Sequence, residues 1–195
     1  MKFIDRDLIS YDKALLLMEQ LMQKASEEKD DFILFCRHHE VFTVGSDKSD
    51  FKIKAVKTDR GGSITYHDEG QLMIYFIVHV PYPAKFYKAV LNILGDFFRR
   101  YDKRICYDKK RPGFYIKNRK IASLGFRYKN GISKHGVAIN LFTDLEKFNT
   151  INPCDLDGIE ATSMRKEGYE ISVEEAKKQI KDLVTHRRLE LLLPA

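Results

Sequence analysis

The 195-residue chain predicts an α+β fold, a mixed or antiparallel sheet flanked by helices, and three observations predict it. An amphipathic helical period opens the chain, a group of short apolar runs fills its middle, and further helical periods fall between and after those runs. Length and a 44% hydrophobic content fit one domain over residues 1–195 with a sizeable core. No internal repeat or Pro/Ser-rich linker divides it.

From Ser10 to about Lys29, Ala14, Leu15, Met18, Leu21, Met22 and Ala25 recur at three- and four-residue steps, which predicts a helix with one buried stripe. "FILFCRH" at Phe32, "VFTVG" at Val41, "SITYH" at Ser63 and "LMIYFIVHV" at Leu72 read as strands, separated by Gly, Asp and Lys clusters. A second helix begins at Pro83 and carries Phe86, Val90, Leu94 and Phe97 on one face. Between Gly113 and Phe142 the turns "KNR" and "KNG" break three apolar or alternating runs, predicting an antiparallel meander with Asn130-Gly131 at a hairpin. Ser172, with Glu175 three residues on, predicts a capping box opening the last helix.

Composition narrows the function. The longest apolar stretch, Leu72 to Val80, is about half of the roughly 20 residues a membrane-spanning helix needs. No secretory signal opens the chain, and three widely spaced cysteines give no disulfide pattern, so a cytoplasmic protein with free thiols is expected. Lys+Arg exceed Asp+Glu by 34 to 28, a net charge of +6 that favours acidic partners. Because the basic residues are scattered rather than striped, nucleic acid is not expected. There is no C-x-x-C, no histidine pair at helical spacing, no G-x-G-x-x-G and no phosphate-binding P-loop, so neither a metal nor a nucleotide cofactor is expected.

The cysteines differ by setting. Cys36 lies inside an apolar strand run and reads as a small core hydrophobe, and Cys106 lies in a short strand between charged flanks. Cys154 follows Asn152-Pro153 in a polar stretch, a place from which a thiol can be aimed into a cleft. A free thiol with a pKa near ~8.5 is only a few per cent thiolate at neutral pH, so a nucleophilic Cys154 needs a cation or base beside it. Lys120, at the head of the apolar run "KIASLGF", can supply one if the meander brings it close; alone it reads as a lysine snorkelling at a strand edge. His67, after "RGGSITY", and His135, in "KHGVAINL", read singly as an interior histidine and a strand entry.

Taken in order, "RGGSITYH" (Arg60 to His67), "KIASLG" with "HGVAINL" (Lys120 to Leu141) and "INPC" (Ile151 to Cys154) resemble the octanoyltransferases of lipoate synthesis, also called lipoate-protein ligase B, within the biotin/lipoate protein ligase fold. The resemblance implies a ping-pong acyl transfer. Cys154 takes the octanoyl group from octanoyl-acyl carrier protein as a thioester, Lys120 lowers the cysteine's pKa and acts as base, and a lysine of a lipoyl domain receives the group as an amide. It also implies substrate contacts at Arg60, Gly61, Gly62, Ser63, Ile64, Thr65, Tyr66, His67, Ser123, Leu124, Gly125, His135, Gly136, Val137 and Ala138. Acceptors would be the lipoyl domains of 2-oxoacid dehydrogenase E2 subunits and the glycine cleavage H protein, with the enzyme a monomer off the membrane. Two departures stand out: the family's H-G-P-G-Q reads "HDEGQ" at His67 to Gln71, and Asp155 follows the cysteine where glycine is usual. Competing readings are an ATP-dependent lipoate-protein ligase, which needs no cysteine nucleophile, and a basic binding module without turnover.

Overall fold

The computed structural model describes residues 1–47, 53–151 and 159–187. Strand β1 (Lys2–Ile9) runs into helix α1 (Tyr11–Glu28), followed by β2 (Phe32–His38), β3 (Val41–Val44), β4 (Val56–Lys57), β5 (Ile64–His67) and β6 (Gln71–Ile77). Helix α2 (Pro83–Arg99) leads to β7 (Cys106–Asp108), β8 (Gly113–Ile116), β9 (Arg119–Lys129) and β10 (Ile132–Asn140). Short α3 (Leu145–Phe148), β11 (Glu160–Ala161) and α4 (Val173–His186) complete the described elements.

The main sheet has the order β1-β2-β6-β10-β9-β8-β7, with β11 pairing β9, and a smaller sheet has the order β4-β3-β5. Most pairs are antiparallel, while β1 with β2, β11 with β9 and β3 with β4 are parallel, so the sheets are mixed as expected. Alternation along the central strands sends side chains to two cores. Ile33, Ile74, Phe76, Val137 and Ile139 meet the apolar faces of α2 and α4, whereas Leu34, Met73, Tyr75 and Ala138 lie on the opposite side with Ala14, Met18 and Leu21 of α1. Burying such side chains contributes about 1.5–3 kcal/mol each relative to leaving them exposed.

Helix boundaries follow local chemistry. Helix α1 ends where Lys29 turns left-handed (φ 53°), and α2 starts on Pro83, whose fixed φ and missing N–H suit the first turn. Ser172 Oγ accepts from the Glu175 amide as expected, but Glu175 accepts from Gln179 one turn on, so only this half of the reciprocal box is seen. At the β9–β10 hairpin both Asn130 (φ 52°) and Gly131 (φ 75°) are left-handed, as a tight two-residue turn demands.

Three strands lie outside the sequence expectation. The β1 segment "KFIDRDLI" is an edge strand whose charged Asp5, Arg6 and Asp7 break the alternation, and its register slips between Asp5 and Leu8. Strands β4 and β11 span two residues each, too short to carry a period.

Candidate active site

Three backbone segments converge on the α1 side of the main sheet. The Arg60–Ser63 loop and β5 come from the small sheet; β9 and β10 supply a floor of small residues. The Arg60 guanidinium builds the loop by donating to the carbonyls of Thr43 (2.8 Å), Ser63 (2.8 Å) and Gly61 (3.0 Å). Gly62 takes φ +87°, open to glycine at little cost. The loop then settles on β9: the Gly61 amide donates to Phe126 O at 3.1 Å, and a Cβ on Gly125 would lie 3.0 Å from Gly61 O. On β10 a Cβ at Gly136 would lie 2.0 Å from Ile74 O, so only glycine fits between the strands.

The result is a cleft enclosing about 560 Å³ including its open mouth. It is lined by Arg60, Gly61, Gly62, Ser63, Ile64, Thr65 and His67 from one side and by Ser123, Leu124, Gly125, His135, Gly136, Val137 and Ala138 from the other. Among the sequence-expected contact residues Tyr66 stands apart. Alternation turns it away from the cleft into a cluster with Phe148 and Ile151, its ring 5.0 Å from Phe42. Tyr11, Met73 and Tyr75 also line the cleft and were missed: the two strand residues sit in an apolar run that reads as plain core, and Tyr11 opens a helix.

The polar residues form one directional chain. Arg60 Nη2 donates to Thr43 Oγ1 (3.0 Å), and the Thr43 hydroxyl donates to His67 Nε2 (3.3 Å). His67 Nδ1 donates to Gln71 Oε1 (2.8 Å), Gln71 Nε2 to Asn140 Oδ1 (2.9 Å), and Asn140 Nδ2 to Thr162 O (2.8 Å) and Lys120 O (3.4 Å). Every member uses its inward donor, which fixes the histidine tautomer and both amide orientations. Burial holds His67 neutral, its pKa pushed down to about 3. His135, left-handed at φ 64°, donates from Nε2 to Asp59 at 2.7 Å; burial lowers its pKa although the carboxylate opposes this. Lys134 pairs with the same carboxylate at 3.1 Å.

Lys120 is no snorkelling edge residue: it is 2% exposed. The β8–β9 register shifts between Phe114 and Tyr115, and Ile121 and Ala122 both enter the α2-side core. This bulge returns Lys120 to the face shared by Ser123 and Gly125. Its ammonium lies 5.7 Å from the Tyr115 ring centroid, and a Cβ at Gly113 would strike its Cε. Cys154 lies outside the described residues, as does Asp155. The residues on either side are stitched beside Lys120: Ala161 pairs with it, the Thr162 amide donates to Lys120 O (2.8 Å), and the Ala161 amide donates to Asn149 Oδ1 (2.8 Å).

Cys36 is fully buried, and burial pushes its thiol far above the ordinary range; Cys106 is exposed. Among the described residues no cluster of three or more His, Cys, Asp or Glu is arranged to hold a metal, and no helix is long and apolar enough to cross a membrane.

The chain is similar to octanoyltransferases of Pseudomonas syringae pv. syringae (33% identical, covering 94% of this chain and 89% of the relative) and Neisseria gonorrhoeae (34% identical, 84% of each). Solved structures share the fold at low identity: a lipoate-protein ligase A bound with ATP (TM-score 0.68, 12% identical, 96% of this chain and 85% of the other) and P. falciparum LipL1 in complex with lipoate (TM-score 0.74, 13% identical, 99% and 64%). Residues 10–185, which hold the whole cleft, match the lipoyl protein ligase A/B catalytic domain model, and the chain belongs to that family.

Proposed function

We propose that the chain is a single-domain octanoyltransferase of protein lipoylation that works through a Cys154 thioester. What supports this most is the placement of Lys120 on the cleft face of β9, paired with the strand that follows the Cys154 segment. In the first half-reaction the Cys154 thiolate attacks the thioester carbonyl of octanoyl-acyl carrier protein. A C–S bond to Cys154 forms, the carrier's C–S bond breaks, and the departing thiolate takes a proton from the Lys120 ammonium. In the second, the amine of an acceptor lysine attacks the octanoyl-enzyme, the amide C–N bond forms, Cys154 leaves as thiolate, and the amine's proton passes to neutral Lys120. The acceptors are lipoyl domains of 2-oxoacid dehydrogenase E2 subunits and the glycine cleavage H protein, and the +6 charge suits acidic carriers of either kind.

The test is intact-protein mass after mixing with octanoyl-acyl carrier protein in the absence of ATP. An added mass of about 126 Da, removed by hydroxylamine and absent from Cys154→Ala, is the expected thioester signature. A folded wild type that gains no mass, but modifies a lipoyl domain when given ATP and free octanoate, would replace transfer by ligation.

A further inference from the structure

The small floor of the cleft has large residues at one end only. Across β9, β10 and β6 two rows run perpendicular to the strands: Ser123–Ala138–Met73 and Gly125–Gly136–Tyr75. Four of these six side chains are Ser, Ala or Gly, and the two on β6 are a thioether and a phenol. Both β6 residues line the cleft, with Tyr11 beside them.

We propose that Tyr75, Met73 and Tyr11 form the end wall that measures the acyl chain, and that His38, behind the wall, locks the measure. This rests on the octanoyl-transfer reading and adds what limits chain length. Neighbouring strands lie about 4.8 Å apart, so the step from β9 to β6 is about 10 Å. An extended octanoyl chain, with seven zigzag C–C bonds of about 1.5 Å, spans about 9 Å. A carbonyl held over β9, where Lys120 and Ser123 share a face, therefore puts its terminal methyl against the β6 side chains. Two further carbons need about 2.5 Å more and meet the ring.

The wall is built to stay put. His38 Nδ1 donates to Ile9 O at 2.8 Å, which leaves Nε2 as an acceptor, and the Tyr75 hydroxyl donates to it at 2.7 Å. The phenol's polar end is thus satisfied among buried groups, and its ring is held where the cleft ends. Burial keeps His38 neutral, its pKa pushed down to about 4, so the acceptor persists near neutral pH. Tyr11 is stacked on His67 (5.7 Å) and meets His38 edge-on (5.0 Å), which fixes the neighbouring part of the wall. Tyr75 and Met73 are specificity-determining residues; His38 is a positioning residue that acts through Tyr75.

The experiment measures single-turnover acyl-enzyme formation on the full chain by intact mass, using acyl carrier protein loaded with six-, eight-, ten- and twelve-carbon chains. The expected wild-type optimum is eight carbons. Tyr75→Ala should raise the twelve-to-eight rate ratio at least tenfold. Met73→Ala, which removes the wall one row away, should raise it in the same direction if Tyr75→Ala fails to fold. His38→Ala should raise the ratio several-fold while the eight-carbon rate changes less, a split that a general loss of stability does not produce. Wild-type acylation with a ratio unmoved by any folded variant would overturn the end wall alone. A wild type acylated by no chain length would overturn the transfer reading and the wall with it.

Discussion

Asp68 Oδ2 accepts a hydrogen bond from the Asp144 amide at 2.7 Å, tying the β5–β6 turn to the head of α3, while Oδ1 accepts from the Gly70 amide at 2.9 Å. Asp68 stands where relatives by resemblance carry the Gly of H-G-P-G-Q, so the departure adds a strut rather than removing one. Beside it, Glu69 meets His39 at the surface. Asp68→Ala should cost about 2 kcal/mol in a urea titration, since a buried carboxylate hydrogen bond contributes roughly 1.5–3 kcal/mol. Asp68→Asn keeps an acceptor and should cost less. Equal losses would mean that charge, not the strut, matters.

Two glycines separate fold from function. Gly136→Ala places a methyl inside the β6–β10 ladder, and overpacking against backbone should cost ~3 kcal/mol or abolish soluble folding. Gly125→Ala presses on Gly61 O, which belongs to a loop rather than a central strand. It should lower the unfolding midpoint only slightly and raise KM for the acyl donor. A steady-state comparison of both variants checks the contrast.

Stability should fall on acidification. His38 and His67 are held neutral in the fold, with pKa values pushed to about 4 and about 3 from the ordinary 6.5. Below about 6.5 the unfolded chain takes up protons that the folded chain refuses, so the unfolding free energy drops as pH falls through this window and is fully present above it. The denaturant midpoint should be lower at pH 5 than at pH 7.5, and the slope against pH shallower in His38→Asn. A flat wild-type profile would mean that these rings are protonated in the fold.

Thiols and amine should sort cleanly. Lys120→Ala should cut single-turnover transfer roughly 10²–10⁴-fold, the range of general acid–base groups, with the circular dichroism spectrum kept. Cys36→Ser should leave the acyl-enzyme intact and cost about 1–3 kcal/mol for a polar group placed in the core. Cys106→Ser should leave both the fold and the transfer rate unchanged.

Much of this molecule is legible in its residues. The α1 stripe, Pro83, Asn130-Gly131 and Ser172 each carry a local signal strong enough to survive packing, and the RGG, SLG and HGVA segments line one cleft. What escaped is what only tertiary structure decides. Charges mask β1 because its outer edge faces solvent. The facing of Lys120 depends on a one-residue bulge that no period encodes. Tyr75 and Met73 look like core because they are core on every side but the cleft.

The stitching around Lys120 also sets where the chain tolerates length change. Lys120 and Cys154 are 34 residues apart in sequence, whereas Ala161, which sits on Lys120 in the ladder, is only seven residues from Cys154. Residues inserted at the Asn130-Gly131 tip lengthen the long path and leave the short one untouched. A single residue added between Cys154 and Ala161 changes the tether itself. Drift in this lineage should therefore accumulate at the hairpin tip and leave the short interval constant.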